Sequence, residues 1–425
     1  MGHSGWMIAH PGLRFVSHTV TVPLDHSRPD GATIEVFARE VVAADRAGDD
    51  LPWLLFLQGG PGGKSPRPVR AEGWLGHAVR THRVLLLDQR GTGRSTPITA
   101  RTVHGMPAEK LAAYLALFRT DSIVADAEIL RERIAGGARW DTLGQSYGGF
   151  ITMTYLSVAP QALRTCYITG GLPGLTATAD DVYARTYPRV AAKNAEFYRA
   201  FPGDAAAVRR IADHLAATEV RLPDGDRLTV GRLRRLGDFF GMSFGYAQAH
   251  WLLDGAWHGS ELSDTFRYEV MRLTGYVDMP LFALQEFCFG QGGGVTGWAA
   301  ERALHRHPEF AEDADPLLFT GEMMYPWMFE QIAALKPFAA AADILAGTDD
   351  WPILYDRTRL AANEVPVLAA VYADDMYVDA GLSLRTAAEV GNVRTWVTNE
   401  HEHDGLGTAG ASVLGHLMDM AAGRW

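Results

Sequence analysis

The stretch Leu143-Gly144-Gln145-Ser146-Tyr147-Gly148-Gly149 has the residue types for nucleophilic catalysis. It reads G-x-S-x-G, follows a short apolar run and precedes a helical pattern from Phe150 to Leu156. A serine on a sharp strand-to-helix turn is forced outward, with the positive end of the helix beneath it. A serine hydroxyl is a weak nucleophile alone; it needs a base, and the base needs an orienting carboxylate. Turns of this kind place the three groups in the chain order Ser, acid, His. The acid belongs just past a late strand, where Tyr372-Ala373-Asp374-Asp375-Met376 lies, and Asp374, Asp375 and Asp379 compete for the role. The histidine belongs after the final strand, in Glu400-His401-Glu402-His403-Asp404. The order 146, 375, 403 satisfies the template. His401 and His403 lack a third ligand of clear spacing, so neither a metal nor a cofactor is expected.

Gln58-Gly59-Gly60-Pro61-Gly62-Gly63-Lys64-Ser65 is a second candidate. A phosphate-binding loop would need glycine where Gln58 stands. The small residues instead let a backbone N–H point into open space. Gly60 and Tyr147 are the expected donors of an oxyanion hole. In Asp88-Gln89-Arg90-Gly91-Thr92-Gly93-Arg94-Ser95, Asp88 and Arg90 are expected to pair and hold the loops, without a catalytic role.

These groups need a scaffold. Phe15–Leu24 and Thr33–Val41 alternate and read as an antiparallel opening pair. Trp53–Leu57 and Arg83–Asp88 are continuously apolar up to their ends, as strands covered on both faces should be. A helix over Asp121–Ile134, capped by Asp121 or Ser122, leads to strands at Arg139–Leu143 and Leu163–Thr169. The rhythm then breaks. Helical patterns such as Val182–Phe201, Ala205–Ala217 and Phe329–Ala342 fill the middle, and strands return at Val365–Tyr372 and Asn392–Thr398 before a last helix, Ala411–Ala422. Alternating strand and helix argues for a mostly parallel sheet with helices on both faces. The expected organisation is a core in two parts, 1–172 and 348–425, around a mostly helical insertion, 173–347.

Bulk properties narrow the function classes. The chain has 425 residues, 47% of them hydrophobic, and a net charge of −11. That charge disfavours nucleic acid and anionic membranes as partners. No apolar run is long enough to span a bilayer, and the N-terminus has no secretory pattern. Cys166 and Cys288 are the only cysteines, which fits a reducing cytoplasm.

Together, the Gln58-Gly-Gly-Pro-Gly, Asp88-Gln-Arg-Gly-Thr-Gly-Arg-Ser, Gly144-Gln-Ser-Tyr-Gly-Gly, Asp375-Met and His403-Asp-Gly-Leu motifs resemble the proline iminopeptidases, above all their longer bacterial branch. The resemblance runs across the whole chain and departs at Gln58, where many relatives carry histidine. It implies an α/β-hydrolase fold with an inserted helical cap. It selects Asp375 over Asp374 and His403 over His401, and implies a serine exopeptidase that releases N-terminal proline from peptides without a cofactor. It also implies that cap carboxylates meet the protonated imino group, at places that match Glu286 and Glu322. Both lie in apolar, aromatic sequence, where an unpaired charge is costly. The aromatics of 239–251, 287–289 and 325–327 are the pool for the ring slot, and Gly290–Gly294 reads as a cap loop near the entrance. A broader aminopeptidase, or an esterase or amidase, would fit the same scaffold. A non-catalytic binding protein fits poorly with a complete Ser–acid–His order.

Overall fold

The computed structural model describes residues 8–10 and 12–424. Nine strands form one sheet: β1 (Ile8–His10), β2 (Leu13–Pro23), β3 (Thr33–Ala43), β4 (Trp53–Leu57), β5 (Arg83–Leu87), β6 (Trp140–Gln145), β7 (Leu163–Thr169), then, after the cap-forming stretch, Val367–Tyr372 and Val393–Thr398. Within that stretch lie only two small hairpins, β8 (Val220–Arg221) with β9 (Arg227–Leu228) and β10 (Trp257–His258) with β11 (Glu261–Leu262), so the last two sheet strands are β12 and β13. The spatial order is β1-β2-β3-β5-β4-β6-β7-β12-β13. The three N-terminal strands join antiparallel, and every pairing from β5 to β13 is parallel.

The sheet is covered on both faces. Helices Gly73–Ala78 and Gly410–Ala421 bury Leu75, Val413, Leu414 and Leu417 against one face. Helices Thr120–Ile134 and Tyr147–Val158 cover the other, and their core is continuous with that of the helices inserted between β7 and β12. All six residues of β12 are buried, as its unbroken apolar run requires. This is an α/β-hydrolase fold with a helical insertion. Among the described residues no helix is long and apolar enough to cross a membrane.

Three local expectations change. The helix at Thr120–Ile134 has Arg119 at its N-cap position and no side-chain cap; Asp121 sits inside the first turn, where its charge interacts favourably with the positive end of the helix dipole. Phe329–Ala342 is not one helix. The helix Pro326–Gln331 stops, and the chain resumes through a short turn at Lys336–Phe338 into Ala339–Ala346. Pro337 has no N–H to continue a helix, and the Ala333 N–H donates to the Asp226 carboxylate instead. Asp88 and Arg90 do not pair. Arg67 holds Asp88, with Nη1–Oδ1 at 2.9 Å, while Arg90 reaches across to Asp126 at 2.6 and 2.7 Å. The turn that follows β5 carries the Arg90 guanidinium away from Asp88, to the carbonyls of Leu24 and Leu117 as well.

Candidate active site

Ser146 stands between β6 and the helix Tyr147–Val158 with φ 54° and ψ −123°. That conformation is costly for any residue with a Cβ, on the order of 1–3 kcal/mol. The crowding of backbones around it explains how it is held. A Cβ on Gly148 would fall on the Leu57 carbonyl, and one on Gly149 on the Gly171 carbonyl. The strands and helix therefore approach to a distance that only glycine permits.

The loop after β4 closes over the same point. A Cβ on Gly59 would lie 2.9 Å from the Ser146 Cβ. Gly60 follows with φ +126°, a left-handed conformation that glycine adopts without strain. Gly60, Pro61, Ser146 and Tyr147 line one cavity. Tyr147 opens its helix, so its N–H has no intrahelical acceptor.

Asp375 lies just beyond β12 and His403 just beyond β13. Nδ1 of His403 is 2.6 Å from Asp375 Oδ2, and both residues are buried, at 4% and 3% exposure. The other carboxylate oxygen, Oδ1, accepts the N–H groups of Tyr377 at 2.8 Å and Val378 at 3.0 Å. The Tyr377 ring packs on the imidazole at 4.7 Å between centroids. With Nδ1 committed to the carboxylate, Nε2 is the nitrogen left for proton exchange. The competing residues hold other partners. Asp374 is a surface partner of Arg189 at 2.9 Å, and Asp379, which also lines the cavity at Ser146, is engaged as the cap of the helix Ala380–Glu389 and does not bond His403. His401 packs against Tyr372 and Trp396.

The cavity at Ser146, about 50 Å³, is also lined by Glu322, Gln285, Cys288, Phe289, Tyr355 and Tyr377. Of the aromatics expected to supply a ring slot, only Phe289 lines it; Tyr147, Phe150, Tyr355 and Tyr377 are the other rings. Gln291, in the expected entrance loop, lines it too and donates to the Leu175 carbonyl at 3.0 Å.

Glu322 and Glu286 take different places. Glu322 faces the cavity and is in none of the ion pairs among the described residues. Burial pushes its acid well up, and the neighbouring Asp238 carboxylate adds to the rise, against the pull of Arg235. Glu286 does not line the cavity. Its Oε1 accepts the Ala299 N–H at 2.6 Å and its Oε2 the Ala300 N–H at 3.3 Å, so it closes the start of the helix Ala299–Leu304. Burial raises it to about 7 despite those donors. In this structure Glu286 serves the backbone of Ala299 and Ala300, away from the cavity that Ser146 lines.

A family model described as alpha/beta hydrolase fold matches residues 52–215. A proline iminopeptidase of Aeromonas sobria is 45% identical over 409 residues, 96% of this chain and 96% of that one. Proline iminopeptidase aneH of Aspergillus aculeatus is 33% identical over 422 residues, 95% of this chain and 92% of that one. The chain belongs to the proline iminopeptidase family. A Neisseria gonorrhoeae proline iminopeptidase matches over a shorter stretch, 31% identical across 123 residues, 29% of this chain and 33% of that one.

Two features of this family member were not read from its sequence. Asp238 joins the acid at Glu322: its Oδ2 is 2.8 Å from Arg235 Nη2, while its Oδ1 is buried without a partner. Arg235 and Asp238 sit three apart and look like an exposed pair; nothing local places them beside Glu322. Cys288 lines the cavity with its thiol 3.5 Å from the Tyr147 hydroxyl, and burial pushes it up to about 11, so it is a poor nucleophile. Among the described residues no group of three His, Cys, Asp or Glu side chains could hold a metal ion.

Proposed function

We propose that this chain is a serine exopeptidase that releases N-terminal proline from peptides, with Ser146 as nucleophile, His403 as general base and acid, and Asp375 as its orienting carboxylate. The observation that carries the reading is a single cavity containing both Ser146 and the unpaired carboxylate Glu322. One end performs acyl transfer; the other selects a cation. The Aeromonas sobria relative, named a proline iminopeptidase, supports the choice of proline.

In the first step His403 Nε2 takes the Ser146 proton as Oγ attacks the carbonyl carbon of the first residue. The oxyanion is met by the Gly60 and Tyr147 N–H groups; one such donor generally contributes about 3 kcal/mol in the transition state. The imidazolium, held by Asp375, returns the proton to the leaving amine. Water, activated by the same nitrogen, then hydrolyses the prolyl ester. Glu322 pairs with the protonated imino nitrogen by a charge-assisted hydrogen bond. That bond is lost when the amine is blocked, which makes the enzyme an exopeptidase. The insertion 173–347 covers the site and supplies this acid. The chain's two cysteines, Cys166 and Cys288, both free and buried, suit a reducing cytoplasm and its peptide pool.

The test is hydrolysis of Pro-, Ala- and Leu-arylamides beside a short acyl ester. Preference for Pro-arylamide, lost on N-acetylation and after Ser146→Ala, is the expected result. Cleavage of the ester without the Pro-arylamide would replace this reading by an esterase.

A further inference from the structure

The segment Arg235–Ser243 touches the amine-facing acid at one end and the catalytic loops at the other. Arg235 grips the backbone on both sides of Glu322: Nη1 donates to the Gly321 carbonyl and, at 2.9 Å, to that of Met323. Its Nη2 holds Asp238. The Asp238 carbonyl in turn accepts the Tyr377 hydroxyl at 2.5 Å. Tyr377 reaches two members of the triad, donating its N–H to Asp375 Oδ1 and packing its ring on His403.

Further along, the Gly241 carbonyl accepts the His403 N–H at 3.0 Å. The Ser243 N–H and hydroxyl donate to the two oxygens of Asp404 at 3.1 and 2.7 Å. Gly241 has no room to drift, since a Cβ there would strike the Tyr377 ring and come within 2.6 Å of Met376. Lys193, from the helix Ala179–Ala200, fixes Glu402 at 2.6 Å. The three residues Glu402, His403 and Asp404 are thus each held by the insertion.

We infer that Tyr377 is a positioning residue which couples occupancy of Glu322 by the substrate cation to the alignment of His403, through Asp238 and the segment Arg235–Ser243. This rests on the proposed proline-releasing activity. A cation that pairs with Glu322 changes the charge beside Asp238 and Asp375, and the same hydrogen-bonded chain transmits any resettling of the acid to the imidazole. The amine then contributes to turnover as well as to binding. A plain fastening of insertion to core would hold the histidine equally for every substrate.

The two readings separate in a double-mutant-style cycle. The substrates are the 4-nitrophenyl esters of proline and of cyclopentanecarboxylic acid, which share the ring and differ in the charged nitrogen. The activated ester keeps the uncharged compound measurable. The wild type is expected to turn over the prolyl ester faster in kcat. Tyr377→Phe should lower kcat for the prolyl ester about tenfold and for the cyclopentyl ester by less than about threefold, within the coupling expected of residues in one hydrogen-bond network. Ser243→Ala, which keeps the pocket lining, should show the same asymmetry and serves if Tyr377→Phe fails to fold. Equal loss on both esters, or loss on neither, overturns the coupling and leaves the proline reading standing. A wild type with no kcat/KM preference for the prolyl ester overturns both.

Discussion

Replacing Asp375 by asparagine should lower kcat about 10⁴-fold, roughly 5.5 kcal/mol in the barrier, without unfolding the protein. The direction follows from the two oxygens. Oδ1 accepts two backbone N–H groups, at 2.8 and 3.0 Å, and Oδ2 accepts His403 Nδ1–H at 2.6 Å. An amide NH₂ cannot sit opposite two N–H donors, since each acceptor lost in a buried site costs about 1–3 kcal/mol. The amide oxygen must therefore take the Oδ1 place, and the NH₂ must face Nδ1. That forces Nδ1 to accept and leaves the imidazole proton on Nε2, toward Ser146. The base then has no lone pair for the serine proton. The shape is unchanged, so the melting temperature should move little. The assay is steady-state cleavage of Pro-arylamide with a melting curve on the same preparation, beside Asp374→Asn. Asp374 is an exposed partner of Arg189, and its variant should stay within about twofold of wild type. A loss below about a hundredfold for Asp375→Asn, or a comparable loss for Asp374→Asn, would refute the assignment.

Glu322→Gln should raise KM for Pro-arylamide about 10–100-fold, the worth of one hydrogen bond to a charged group, with a smaller change on an N-acetylated ester; equal changes on both would remove the acid from amine recognition. Glu286 should behave differently. Its folded-state acid lies at about 7 against a usual 4.5, so it contributes stability in full below 4.5 and loses it as the pH rises through 7. Glu286→Gln abolishes that dependence, and its stability relative to wild type should climb by ~3 kcal/mol between about pH 5 and pH 8, while KM holds; a flat difference in melting temperature would contradict it. Ser146→Gly should melt above Ser146→Ala, by about 1 kcal/mol, because glycine relieves the strained φ of 54° at some entropic cost; the reverse order would show the turn to be unstrained. Gly148→Ala should yield no folded protein in a soluble-expression assay, since its Cβ meets the Leu57 carbonyl.

The sheet was legible where burial on both faces leaves a plain signature. Trp53–Leu57 stands where its apolar run begins and ends, because a parallel strand covered on both sides has nothing polar to blur its limits. The opening strands are less sharply drawn. Leu13–Pro23 starts two residues before the alternation from Phe15 suggests, since pairing with β3 extends to its first residue. Inside the insertion, helical spacing overran the chain at Phe329–Ala342. The stop there is tertiary: Asp226, itself held by Arg232 at 2.9 Å, takes the Ala333 N–H. No pattern within those residues announces a partner more than a hundred positions away.

The two glutamates show why buried acids are harder to read than triads. A triad has an order and a fold-imposed place for each member, so chain position carries information. An acid in aromatic sequence carries only a cost, and several arrangements remove it. Glu286 is relieved by the N–H groups of Ala299 and Ala300, exposed because Trp298 adopts a left-handed conformation with φ 54°. A tryptophan seldom takes that conformation, so the sequence around it gives no warning of the donors. Glu322 has Arg235 close by, yet the guanidinium is spent on the carbonyls of Gly321 and Met323 and on Asp238. The cation that would ordinarily neutralise the carboxylate instead props up the backbone that presents it. That distribution of hydrogen bonds, more than burial itself, separates the acid proposed to meet a ligand from the one that ties a helix.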